Sequence, residues 1–72
     1  METRFKLTKE FIKLSALLKA CDIADSGGQA KNLILDGEVR VNGQTETQRG
    51  KKIRAGDLVE VAEPQARILV ES

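Results

Sequence analysis

Two short stretches hold residue types suited to gripping a phosphate: SGGQAK at 26–31 and RGKKIR at 49–54. The first invites comparison with a nucleotide cradle and fails it. A P-loop needs G-x-x-x-x-G-K-[ST] between a strand and a helix, so that a long glycine loop wraps the phosphates. Here Gly27 and Gly28 are adjacent, Lys31 follows Gly27 by four residues, and the preceding segment reads as helix. What survives is a helix N-terminus, whose free amides and dipole attract anions. Asp22 and Asp25 stand just upstream and oppose one. The bland alternative is that Ser26 caps the helix, Gly27 permits close packing and Lys31 is solvated.

RGKKIR carries Arg49, Lys51, Lys52 and Arg54 within one turn-rich segment. A solubility surface has such a composition too, but this density of charge on a glycine-bearing loop leans toward contact with a nucleic-acid backbone. The chain has no Trp and no Tyr, and its two aromatic residues, Phe5 and Phe11, lie near the N-terminus, away from that loop in sequence. A base-stacking platform is therefore not expected, and recognition should go through phosphates, 2′-hydroxyls and the shape of folded RNA. Catalysis finds little support. There is no His, the acids are scattered, and the single Cys21 falls on an apolar helix face, where a small buried hydrophobe is the expected role.

With 72 residues, the chain has room for a single domain, 1–72. A domain of that size buries only about 60% of its unfolded surface and is marginally stable. One cysteine makes no internal disulfide, and without His it makes no common zinc site. The 40% of hydrophobic residues must supply the core. Nothing approaches the roughly 18 apolar residues of a membrane span, and METRFKLTKE lacks an apolar signal core. The cytoplasm is the expected compartment. Net charge is only +1, yet it is unevenly spread. Residues 40–54 hold Arg40, Arg49, Lys51, Lys52 and Arg54 against Glu46, and residues 1–20 hold five cations against Glu2 and Glu10. A nearly neutral chain can thus present one basic face.

The elements that must position these side chains follow from apolar spacing. TRFKL alternates as a short strand does. Leu14, Leu17, Leu18 and Cys21 fall on one helical face, with Ser15 as the expected N-cap, giving a first helix over 16–21. Ile23 is an inward plug. A second helix runs from Ser26 to about Asp36, burying Ala30, Leu33 and Ile34, and Gly37 stands where a left-handed terminator is wanted. Leu35 lies outside that stripe. From Glu38 the period becomes two: Val39 and Val41 point inward and Arg40 outward. Asn42-Gly43 signals a type I′ hairpin turn with QTET returning. RGKKIRAGD reads as a loop closed by Gly56-Asp57, LVEVA as a strand broken by Pro64, and RILV as a last strand beside TRFKL.

From Ile12 to Val61 the chain resembles the RNA-binding domain named after ribosomal protein S-four, also called the alpha-L motif. KLSALLK, SGGQAKNLILDGEVRVNG and RGKKIRAGDLVEV stand in the family's order, and the chain is similar to the small stand-alone bacterial form. The resemblance implies an α+β fold: two short packed helices, helix-turn-helix-like, against a small, strongly bent, mostly antiparallel sheet. It places Lys13 as a basic residue before the first helix, Gln29 and Lys31 on the second, and Arg49, Lys51 and Lys52 on the loop. Many members have an RNA-facing arginine after the capping serine, where this chain has Gly27. Together with the charge pattern, the expected RNA contacts are Lys13, Gln29, Lys31, Arg40, Arg49, Lys51, Lys52 and Arg54. The expected protein is a non-catalytic monomer that binds structured RNA, with ribosomal RNA as a candidate. It needs no metal, cofactor or small-molecule substrate. The rival reading is a protein-interaction module that docks a partner through the helix pair, with Leu35 as anchor.

Overall fold

A computed structural model describes residues 2–63 and 65–72. Helices give way to strands where the apolar period changes. The chain runs β1 (Glu2–Lys6), β2 (Ile12–Lys13), α1 (Leu14–Ala20), α2 (Gly27–Leu35), β3 (Val39–Val41), β4 (Gln44–Thr45), β5 (Lys52–Ile53), β6 (Leu58–Val61) and β7 (Ala66–Glu71). Five strands form a sheet in the order β1-β7-β6-β3-β4, and β2 and β5 form a separate two-stranded ribbon. Among the described residues only β1 and β7 run parallel; the remaining pairs are antiparallel. The expected α+β architecture holds, as does RILV beside TRFKL at the sheet edge. The break expected at Pro64 lies outside the described residues.

One face of the five-stranded sheet is apolar and covered by the helix pair. Val39, Val41, Val59, Val61, Ala66, Ile68 and Val70 meet Leu14, Leu17 and Leu18 of α1 and Ala30 and Ile34 of α2, all buried. Leu7 after β1, Ile23 and Ala24 of the inter-helix connection and Ile53 of β5 complete this core, which contains no buried polar side chain among the described residues. Leu33, expected inside, is half-buried against its edge. The opposite face shows a transverse row of polar side chains, with Thr45, Arg40, Glu60, Arg67 and Glu2 in successive register. Arg67 pairs with Glu2 at 3.5 Å and Glu60 at 3.7 Å. Such exposed pairs contribute roughly 0–1 kcal/mol each.

Local signals set most of the turns. Asn42 and Gly43 have φ of 53° and 85°, as a type I′ turn requires. Gly37, at φ 78°, ends α2 in the left-handed region. Ser26 caps α2 as expected, its Oγ accepting from Gln29 N–H at 3.2 Å. The Gln29 side-chain carbonyl in turn accepts from Asp25 N–H. This reciprocal arrangement resembles a capping box displaced by one residue. Ser26→Ala is expected to cost about 1 kcal/mol of stability, read from urea unfolding midpoints. An undiminished midpoint would show that the cap carries no stability.

Two expectations need correction. Ser15 does not cap α1: it lies inside the helix, Lys13 occupies the N-cap position, and no side chain caps there. The loop does the work instead. Leu14 N–H donates to the Lys51 carbonyl at 2.9 Å and Ser15 N–H to the Arg49 carbonyl at 3.1 Å. Backbone from a distant segment thus satisfies two of the free amides that a serine side chain would have had to serve. The second correction concerns RGKKIRAGD, which is not loop throughout. Lys52–Ile53 is strand β5, because Ile53 enters the core and its backbone pairs with Ile12. The return strand QTET is likewise shorter than expected, with only Gln44–Thr45 regular.

Candidate nucleic-acid interface

The ribbon brings together side chains far apart in sequence. In the β2–β5 register, Ile12 faces Ile53 and Lys13 faces Lys52. Both lysines are exposed, and like charges directly opposite on an antiparallel pair are destabilising. Lys52 Nζ also sits 5.0 Å from the centre of the Phe11 ring, within range of a cation–π contact. Phe11 is therefore not away from the basic segment, as its sequence position had implied. Pairing of β2 with β5 closes the gap.

From the ribbon the basic segment extends in two directions. Lys51, Lys52 and Arg54 line a shallow polar cleft against the β3–β4 hairpin, with Asn42, Gln44 and Asp57 on its other side. Lys31 of α2 and Arg49 line a second cleft, with Leu35 and Gln48. Leu35 is 57% exposed there, as its position outside the helix stripe required. Segment 49–54 thus runs from the middle of α2, across the start of α1, to the ribbon. Lys13, Lys31, Arg49, Lys51, Lys52 and Arg54 follow its course. None of the six makes an ion pair among the described residues, where both ion pairs belong to Arg67.

Arg40 and Gln29 stand apart. Arg40 lies in the polar row of the outer sheet face, in register with Glu60, and lines a different cleft with Glu38 and Arg67. Gln29 uses its carbonyl in the α2 cap. Gly27 is not needed for close packing: a β-carbon there would meet nothing within 4 Å. The smooth helix end at 26–28 is real, but a bulkier residue would fit.

What sequence reasoning missed is how the basic segment is held. Asn42 and Asp57, expected only as turn-makers, form a brace. Asn42 Nδ2 donates to Asp57 Oδ1 at 3.0 Å, and Asn42 Oδ1 accepts from Leu58 N–H at 2.9 Å. Asp57 Oδ2 accepts from Arg54 N–H at 2.8 Å. The hairpin turn is thereby tied to the end of β5 and the start of β6. Cys21 follows α1 directly and is half-buried against the core. Burial first, then the adjacent Asp22 carboxylate, push its thiol pKa above the usual value. A thiol so protected is a poor nucleophile at neutral pH.

A family model described as "S4 domain" matches residues 5–69. The chain belongs to the S4 domain family. It is 38% identical over 61 residues to the "Probable ribosome maturation protein RlbA" of Bacillus subtilis (strain 168), covering 85% of this chain and 86% of that one. It is 43% identical over 51 residues to the "Putative RNA-binding protein YbcJ" of Escherichia coli (strain K12), covering 71% of this chain and 73% of that one. The solution structure of YbcJ, described as revealing an alfaL motif involved in RNA-binding, superposes with a TM-score of 0.68 at 37% identity, over 92% of this chain and 85% of that chain. The matched residues 5–69 take in the helix pair, the ribbon, β3, β4 and β6, and parts of β1 and β7. Among its described residues no helix is long and apolar enough to cross a membrane.

Proposed function

We propose that this S4 domain is a non-catalytic, cytoplasmic, monomeric protein that binds structured RNA through one basic surface. That surface is made by Lys13, Lys31, Arg49, Lys51, Lys52 and Arg54. The observation that carries the reading is the Lys13–Lys52 cross-strand pair. Two like charges held opposite one another cost stability in the free protein, and an RNA phosphate placed between them turns that cost into attraction. The rest of the surface is positioned by backbone, since the Arg49 and Lys51 carbonyls are fixed on the amides of α1. Charge contacts of this kind read the spacing of phosphates rather than base sequence, which suits folded RNA. Ribosomal RNA is the favoured target, supported by the ribosome maturation name of the Bacillus subtilis relative.

The protein-interaction alternative rests on Leu35. That side chain is exposed, but it shares its cleft with Lys31 and Arg49, so an anionic partner is served better there than an apolar one. Arg40 stands on the outer sheet face in register with Glu60 and Gln29 accepts in the helix cap; the proposed surface is drawn without them. Ultraviolet crosslinking to a folded ribosomal RNA fragment, with identification of the modified peptides, tests the assignment. Crosslinks are expected within 11–15 and 47–54. Crosslinks confined to the outer sheet face around Arg40 and Arg67 would overturn it.

A further inference from the structure

Beside the basic surface lies a groove of different character. It is lined by Phe5, Leu7, Phe11, Ile12 and Ala16 of α1, is open to solvent, and has a volume of about 440 Å³, within the range of about 300–1,000 Å³ usual for small-ligand sites. Phe5, Phe11 and Ile12 are each half-buried; Phe5 and Ile12 pack against the core's edge, and all three leave surface in the groove. Lys6, Lys9 and Lys13 stand around it, against Glu10. Lys52 is held over Phe11.

We propose that this groove receives an unpaired nucleobase of the bound RNA, stacked against Phe11, with the flanking phosphates held by Lys13, Lys52 and Lys9. The proposal rests on the RNA-binding reading and adds to it a subsite for single-stranded nucleotides. Three features lead to this occupant. The first is chemical: aromatic side chains are the usual stacking partners of bases splayed out of a helix, and Phe11 is an aromatic wall with cations at its margin. The second is continuity. Lys13 belongs to the groove and to the ribbon alike, and Lys52 reaches from the ribbon to the ring, so an RNA strand leaving the basic surface enters the groove without meeting a change of sign. The third is charge balance, since Lys6, Lys9, Lys13 and Lys52 against Glu10 suit a phosphodiester chain.

The subsite changes the expected target. A surface of phosphate contacts alone binds a blunt duplex and a hairpin alike, whereas a stacking groove favours RNA with an unpaired loop or bulge next to a stem. Base–aromatic stacking is worth about 1–3 kcal/mol per base by alanine substitution, so the hairpin should bind about fivefold or more tighter than the duplex.

The test compares a stem closed by an unpaired loop with the same stem as a blunt duplex, using the whole protein. Phe5 and Phe11 are the chain's only aromatic residues, so their ring resonances can be followed individually by NMR. The expected result is tighter hairpin binding with ring-current shifts of the Phe11 protons that the duplex does not produce. Phe11→Leu should abolish most of the hairpin's advantage while retaining the fold, judged from amide spectra. If that variant fails to fold, the wild-type ring shifts decide. Equal affinities without Phe11 shifts overturn the subsite while leaving phosphate binding intact. Binding to neither RNA overturns both readings. Shifts at Phe11 with an acidic amphipathic peptide, but not with the hairpin, overturn the subsite in favour of a protein partner.

Discussion

Replacing Lys51 and Lys52 together by alanine is expected to weaken binding to a folded RNA by about a hundredfold, taking about 1.5 kcal/mol for each charged hydrogen bond lost. Both side chains line the cleft between the ribbon and the β3–β4 hairpin, and both are exposed, so their removal leaves no cavity. Stability should change little, because two small terms oppose each other. Losing the Lys52 contact to Phe11 costs about 0.5–1 kcal/mol at an exposed site. Relieving the repulsion between Lys13 and Lys52 returns a comparable amount. Fluorescence anisotropy with labelled RNA and a thermal melt of each protein measure the two effects separately. Undiminished affinity would reduce the segment to a solubility surface, and a large loss of melting temperature would mean that the binding result reports unfolding.

The second large effect is expected at Asn42. Its backbone holds a positive φ of 53°, and its side chain makes one bond to Asp57 and one to Leu58 N–H. Asn42→Ala removes both bonds, worth roughly 0.5–1.5 kcal/mol each, and places a β-branch-free but still strained residue in the left-handed region at roughly 1–2 kcal/mol. The sum is a loss of about 2–5 kcal/mol, a large share of the stability of so small a domain. That corresponds to a drop of about 8–40 °C in melting temperature. Asn42→Gly separates the contributions, since glycine relieves the backbone and restores about 1 kcal/mol. Asp57 also fixes the backbone N–H of Arg54, so Asn42→Ala should weaken RNA binding even well below its melting point. Equal stability of the alanine and glycine variants would contradict the assigned backbone strain.

These two positions show where the sequence was informative and where it was not. Asn42-Gly43, Ser26 and Gly37 could be read directly, because a hairpin turn, a cap and a helix stop depend on the residues at the spot. The partner that Asn42 holds could not be read, since Asp57 comes to it only through the pairing of β3 with β6. The same reason explains the misplaced start of α1. Ser15 is a good local cap, but carbonyls from Arg49 and Lys51 reach the helix first, and no local rule contains them. Phe11 seemed remote from the basic segment for as long as β2 and β5 were unpaired. Among the expected contacts, Lys13, Lys31, Arg49, Lys51, Lys52 and Arg54 follow one segment of chain, whereas Arg40 lies on the outer sheet face. Its outward orientation was legible; that the outward face carries Glu60 beside it was not.

If cations of this surface neutralise RNA phosphates, binding must depend steeply on salt. With four to six contacts releasing about 0.7–0.9 counterions each, log affinity for a folded RNA should fall against log salt with a slope of about −3 to −5. The double change at Lys51 and Lys52 should make that slope shallower by about 1.4–1.8 on the same scale. A wild-type affinity that does not vary with salt would contradict the account.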